Sequence, residues 1–319
     1  MSLLTLDDVR TARDRIEPFA YRTPVLTSST VDGLCGGRVL FKCENFQRTG
    51  SFKFRGATSA VAGLGADERA RGVYAHSSGN HAQALALAAK LHGIPAHIVM
   101  PEDSSPVKVE ATKGYGARVT FCPPTDEGRR KVAERVGSET GARFVHPHDD
   151  LRVIAGQGTA VLELIEEADD FDFILAPLGG GGLLSGTLVA AKRLLPNVRV
   201  IGCEPAGADD AARSLQIGRR IVDFVANTVA DGLRTPLGEN TFQIIRELVD
   251  DIVVVPEAEI LPAMRLVWER LKIVIEPSSA VAVAPLLNGQ LDVHDRRVGV
   301  ILSGGNVDLG GFLPRFDRL

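Results

Sequence analysis

The chain has 319 residues, with 40 Asp and Glu against 36 Lys and Arg for a formal net charge of −4, and 45% of its residues are hydrophobic. That length exceeds what one small core usually serves, so a single globular unit of two lobes is expected. The mildly acidic balance argues against nucleic acid and anionic membrane as partners, while a small anionic ligand needs only local donors.

No run approaches the about 20 apolar residues of a membrane helix. The opening Met-Ser-Leu-Leu-Thr-Leu-Asp-Asp lacks an apolar signal core. Cys35, Cys43, Cys122 and Cys203 are scattered with no Cys-x-x-Cys spacing, as suits small buried thiols in a reducing compartment. The expected location is cytoplasmic.

Thr5 and Asp8 form a capping box for a first helix with Leu6, Val9, Ala12 and Ile16 on one face, ended before Pro24. Arg38 to Cys43 is a strand. Lys53 sits between Phe52 and Phe54, and the pattern leaves strand or helix open there. Strands are then expected at Val73–His76, Ala96–Met100, Ala117–Cys122 and Arg143–Val145. Helices between them cover Ala82–Leu91, a stretch reaching Lys113, and Asp126–Val136. A second series follows. Its helices are Gly158–Glu167, Leu183–Leu195, Asn240–Val249, Glu257–Leu271 and Ser278–Leu287, and its strands Phe171–Leu175, Val198–Cys203, Ile252–Val255 and Val298–Leu302. Such alternation predicts an α/β chain with parallel-rich sheets flanked by helices, whose chemistry lies in loops after strands.

Three loops carry donors. Gly179, Gly180, Gly181 and Gly182 follow a strand and open a helix, so their amides and the helix dipole suit a phosphate, although a flexible turn would read the same way. His76-Ser77-Ser78-Gly79-Asn80-His81 offers N–H and O–H groups to a carboxylate, or is a simple N-cap. Ser303-Gly304-Gly305-Asn306 follows the last strand and could return a hydroxyl to the cleft. Lys53 among apolar neighbours is either a surface lysine or a desolvated nucleophile.

Taken together, these segments resemble the fold-type II pyridoxal-phosphate family (tryptophan synthase β-like), and within it the serine racemases and short serine/threonine dehydratases. The resemblance runs from about Arg22 to Leu309. It rests on Thr49-Gly50-Ser51-Phe52-Lys53, His76 to Gln83, Ile154-Ala155-Gly156-Gln157-Gly158-Thr159, Gly179 to Gly182, Leu266-Val267-Trp268-Glu269-Arg270, Ile275-Glu276-Pro277 and Leu302 to Asn306. It implies a large pyridoxal 5'-phosphate-binding domain of residues 1–71 and 148–319, and a small mobile domain of 72–147. It also implies a homodimer.

The same resemblance assigns roles. Lys53 would be the Schiff-base lysine and then the general base. Gly179, Gly180, Gly181 and Gly182 would hold the cofactor phosphate, Asn80 the ring hydroxyl oxygen, and Ser303 would face the ring nitrogen. Ser77, Ser78, Gly79 and His81 would cradle the substrate carboxylate, with Ser78 the second-face proton donor if the enzyme racemises. Glu204, Ala208 and Asp210 would bind Mg²⁺, Ca²⁺ or Mn²⁺ through oxygen, or else are a strand end and an acidic helix start. Gln83, Tyr115 and Asn306 match positions that contact ATP in animal serine racemase, or serve packing. His148 departs from the Asn usual in racemases. Arg129 matches a position suggested to touch a second polar group on the substrate, or is a surface charge.

The implied activity is elimination of water from L-serine or L-threonine to give a keto acid and ammonia. The alternatives are serine racemase with side elimination, and 3-hydroxyaspartate dehydratase or racemase. Cysteine synthases, a rival class, carry Thr-Ser-Gly-Asn-Thr where this chain has Ser77-Ser78-Gly79-Asn80-His81. A sensor that has lost catalysis would not need Lys53, Asn80 and Ser303 together. No appended feedback domain is expected.

Overall fold

The computed structural model describes residues 3–104 and 106–316. Its ten strands are β1 (Val25–Thr27), β2 (Arg38–Cys43), β3 (Val73–His76), β4 (Ala96–Pro101), β5 (Arg118–Cys122), β6 (Arg143–Phe144), β7 (Phe173–Pro177), β8 (Arg199–Pro205), β9 (Asp251–Val255) and β10 (Arg297–Leu302). They form two sheets. Six strands run in the order β1-β2-β10-β7-β8-β9, parallel apart from the β1–β2 pair, and four run β5-β4-β3-β6, all parallel. The α/β class with parallel-rich sheets is as expected from the alternation.

Both faces of the larger sheet are apolar, which is why its strands read as continuous hydrophobic runs. In β7, Ile174 and Ala176 join one core with Leu164, Leu184 and Leu188, while Phe173 and Leu175 join another with Val267, Val281 and Leu286. A third core lies between the smaller sheet and the helices Lys53–Ala62 and Asn80–Leu91, with Phe54, Leu85 and Ile98 inside it.

The first helix, Leu6–Ile16, carries the expected capping box. The helix expected from Gly158 starts earlier, at Leu151, because the Asp150 carboxylate accepts from Arg152 and Val153. The helix expected over Ser278–Leu287 is two short turns, Pro277–Ala280 and Ala284–Leu287. Val281, Ala282 and Val283 lie between them, and Pro285 falls in the first positions of the second turn, where its missing N–H is tolerated. The helices Ser29–Cys35, Ala66–Arg71 and Leu309–Phe316 lie outside the expected elements; the last has Leu309, Phe312, Leu313 and Phe316 at helical spacing, obscured by Gly310, Gly311 and Pro314.

Lys53 opens a helix, Lys53–Ala62, which settles the strand-or-helix question. That helix is pressed on Leu151–Ala168 at glycines: a Cβ on Gly156 would stand 2.7 Å from the Gly56 Cα and from the Arg55 carbonyl. Two residues past Lys53, the fully buried Arg55 guanidinium pairs with Glu44 at 2.7 Å and Glu163 at 2.7 Å, and Lys42 pairs with Glu163 at 2.6 Å. Opposed charges, each hydrogen-bonded, let four ionised groups share a dry interior.

Candidate active site

The chemistry-bearing loops meet where the carboxyl ends of strands from the two sheets approach each other. The Lys53 amine donates to the Pro147 carbonyl at 2.9 Å. Burial lowers its pKa to about 8 against the pull of Glu276. That raises the share of free amine at neutral pH above what an exposed lysine has.

Gly179 to Gly182 lie between β7 and the helix Gly182–Leu194, and all four are buried. No acceptor among the described residues takes the amides of these four glycines. Buried orphan N–H groups are rare in folded chains, so a row of them at a helix start fits an anion. The turn needs glycine at Gly181, which has φ +88°, and at Gly180, where a Cβ would stand 2.3 Å from His148 Nδ1.

Asn80 begins the helix Asn80–Leu91. Its amide nitrogen donates to the Glu276 carboxylate at 2.9 and 3.2 Å, and its carbonyl accepts from Asn306 at 2.9 Å. Burial pushes the Glu276 carboxyl up to about 7. The network therefore orients the Asn80 amide from both ends.

Ser303, at the end of β10, lies 3.1 Å from the Ser279 hydroxyl. Ser279 spends its one proton on the Gly304 carbonyl at 2.7 Å. Ser303 is then the donor in the serine pair, and turning that proton toward a pyridine nitrogen exchanges one neutral hydrogen bond for another.

Four histidines, His76, His81, His146 and His148, surround this centre. His81 Nε2 lies 3.0 Å from the Val145 carbonyl, so Nε2 carries the proton, and Nδ1 is buried without a partner. Burial drives the pKa of His81 down to about 3 and of His146 to about 4, with His148 well below its ordinary value. Neutral His81 presents a lone pair, not a donor, so its side chain does not suit a carboxylate. The amides of Ser78, Asn80 and His81, which have no acceptor among the described residues, do suit one. The Ser77 hydroxyl accepts from the Gly79 amide at 3.3 Å, and Ser78 is exposed.

The remaining candidates lie apart or play smaller parts. Arg129 is half-buried beside Cys122, on the helix Asp126–Thr140. Gln83 is buried, and Tyr115 packs against the core of the smaller sheet. Asn306, besides bonding Asn80, donates to the Thr49 carbonyl at 2.6 Å, so it belongs to the Asn80 network. Glu204 ends β8 and accepts from the Ala211 and Ala212 amides at 2.9 Å each. Neither oxygen of buried Asp210 has a hydrogen-bond partner of regular geometry. Ala208 is buried between them in sequence. No cluster of three or more His, Cys, Asp or Glu side chains arranged for a metal occurs among the described residues.

Sequence reasoning gave no role to Glu276, Ser279, Pro147 or the Arg55 cluster. Glu276 stood in a matched segment, and a carboxylate between isoleucine and proline was a signal of burial. The Pro147 carbonyl left no trace in the sequence, since any residue supplies one.

Residues 16–304 match the family model described as pyridoxal-phosphate dependent enzyme. The chain is 50% identical over 313 residues to serine racemase of Dictyostelium discoideum, covering 97% of each. The crystal structure of a serine racemase from the same organism overlays with a TM-score of 0.92, at 96% of this chain and 99% of the other. A β-hydroxyaspartate dehydratase of Paracoccus denitrificans is 47% identical over 309 residues, 97% of this chain and 98% of its own. The structure of maize serine racemase, 44% identical, overlays with a TM-score of 0.94 over 99% of this chain and 97% of the other. With a lysine, an anion-ready glycine loop and this likeness over nearly its whole length, the chain belongs to the pyridoxal-phosphate dependent enzyme family.

Proposed function

We propose that this enzyme eliminates water from a small β-hydroxy-α-amino acid, L-serine or L-threonine first among them, and releases a keto acid and ammonia. The observation that carries the reading is the row of buried, acceptor-free glycine amides facing the same centre as the Lys53 amine. Bound pyridoxal 5'-phosphate would draw electrons from the substrate α-carbon, which makes loss of the α-proton and then of the β-hydroxyl feasible. Gly179 to Gly182 hold its phosphate, Asn80 its ring oxygen, and Ser303 faces its ring nitrogen. A serine hydroxyl donates more weakly than a carboxylic acid, which favours elimination over transamination. Lys53, lowered to about 8, takes the α-proton as general base. Amides at the Ser78–His81 helix start orient the carboxylate.

Racemisation is the second reading, favoured by the racemase likeness at 50% identity and by exposed Ser78 as a proton donor on the face opposite Lys53. The hydroxyaspartate alternative draws on the dehydratase at 47% identity and on Arg129 as the group for a second carboxylate. His148 does not add to it, being neutral and packed on Gly180.

Residues 72–147 form the small domain, which closes over substrate against 1–71 and 148–319. Mg²⁺, or Ca²⁺ or Mn²⁺, would sit at Glu204, the Ala208 carbonyl and Asp210, where the buried Asp210 carboxylate, without a hydrogen-bond partner of regular geometry, suits a cation. A homodimer, an ATP effector at Gln83, Tyr115 and Asn306, and a cytoplasmic location complete the reading. Sedimentation and ATP titration test the first two. No described helix is long and apolar enough to cross a membrane.

The direct test incubates purified protein with L-serine, pyridoxal phosphate and Mg²⁺ and measures pyruvate and D-serine in one sample. Pyruvate in excess is the expected result. Comparable D-serine would make the racemase reading the main one. Neither product, or equal turnover by Lys53→Ala, would overturn the proposal.

A further inference from the structure

Gly238, the N-cap of the helix Glu239–Leu248, has no side chain to accept the first amides of that helix. Asp149, far upstream in the chain, supplies the missing acceptor. Its Oδ2 accepts from the Glu239 amide at 2.9 Å and its Oδ1 from the Thr241 amide at 3.1 Å, while the Asn240 side chain donates to the Asp149 carbonyl at 2.9 Å. A carboxylate at the positive end of a helix is favoured by the dipole and by charged hydrogen bonds. The glycine and the carboxylate are one feature, because a Cβ at Gly238 would stand 2.1 Å from the Asp149 Cγ.

The helix start so fixed leads to the glycine loop. The buried Thr241 hydroxyl donates to the Gly180 carbonyl at 2.8 Å. The peptide is planar and trans, so a Gly180 carbonyl held from behind turns the Gly181 amide the opposite way, toward the centre. The other side of Asp149 reaches the lysine. Its amide donates to His146 Nδ1 at 2.9 Å, the preceding His148 ring packs on Gly180, and the Pro147 carbonyl holds the Lys53 amine at 2.9 Å.

We propose that Asp149 is a positioning residue that sets the glycine loop, through Thr241, at a defined place relative to Lys53. The inference rests on the reading of that loop as the cofactor phosphate site. The test measures the affinity of cofactor-stripped protein for pyridoxal phosphate and for pyridoxal, which lacks the phosphate, by absorbance titration. Asp149→Ala and Thr241→Val should weaken pyridoxal phosphate about tenfold, the scale of a lost helix cap, and leave pyridoxal unchanged. Thr241→Ser, which keeps the hydroxyl, should retain wild-type affinity. If Asp149→Ala does not fold, the Thr241 pair decides alone. Equal losses for both ligands, or no loss for either, overturns the role of Asp149. A wild-type protein that binds the two ligands equally well overturns the phosphate reading itself, and the inference with it.

Discussion

Glu44→Gln tests the buried ion cluster behind the helix Lys53–Ala62. The Glu44 carboxylate is fully buried and accepts from Arg55 Nε at 2.7 Å, Arg55 Nη2 at 2.8 Å and the Thr23 hydroxyl at 2.6 Å. With Arg55 and Lys42 against Glu44 and Glu163, the cluster is formally neutral. The amide keeps the shape but leaves one positive charge uncompensated in a dry interior, at a cost of about 4 kcal/mol. An unfolding entropy of about 2.1 cal/mol/K per residue gives this chain roughly 0.7 kcal/mol/K, so its melting temperature should fall by roughly 6 °C. Circular dichroism on cofactor-stripped protein reads the shift. Adding Arg55→Met to Glu44→Gln removes the stranded charge, so the double variant should lose less than the sum of the singles. A Glu44→Gln protein melting within about 1 °C of wild type, or strict additivity in the pair, would refute an ionised, mutually compensating cluster.

Other outcomes follow from the same geometry. Ser78→Ala should abolish any D-serine formation from L-serine while pyruvate formation persists; parallel loss of both products would remove Ser78 from the second-face role. His81 and His146 have folded pKa values lowered to about 3 and about 4 from 6.5. The unfolded chain therefore binds more protons below pH 6.5, and the stability these groups contribute is full above 6.5 and lost as pH falls toward 4. Melting temperature should drop between pH 7 and 5, and less so in His146→Phe. Treatment with EDTA should lower the melting temperature and Mg²⁺ should restore it; Asp210→Asn should be insensitive to both, and an unresponsive wild type would leave the Asp210 carboxylate without its cation.

Much of this was readable along the chain, for reasons that differ by element. The buried parallel strands were legible because burial on both faces makes them uniform apolar runs, as in Phe173–Pro177. The glycine loop was legible as a run, but its meaning came from amides without acceptors, which only a folded chain displays. Lys53 looked ambiguous between its phenylalanines, because helix Lys53–Ala62 is buried nearly all round and has little amphipathic contrast. The partners that orient the site were the least legible. Asn80 meets Glu276 across 196 residues, and Asp149 meets Thr241 across 92. Pairings of that reach depend on how distant segments pack, which no local pattern records. His81 shows a further limit: the family resemblance implied a part in holding a carboxylate, and only its bond to Val145 shows which nitrogen holds the proton.

The glycine contact between Lys53–Ala62 and Leu151–Ala168 bears on how such an enzyme could change its substrate. Backbone meets backbone there, with the Gly156 Cβ position 2.7 Å from Gly56, so neither helix can accept a larger residue at the crossing or slide along the other. The lysine is thereby bolted to the frame of the larger sheet. Mutational drift toward a bulkier or more acidic substrate would have to act elsewhere, in the loop after β3, where Ser77 and Ser78 reside, and on the helix Asp126–Thr140 that carries Arg129. Libraries confined to those segments should yield altered selectivity, and libraries at the crossing should yield mainly unfolded protein.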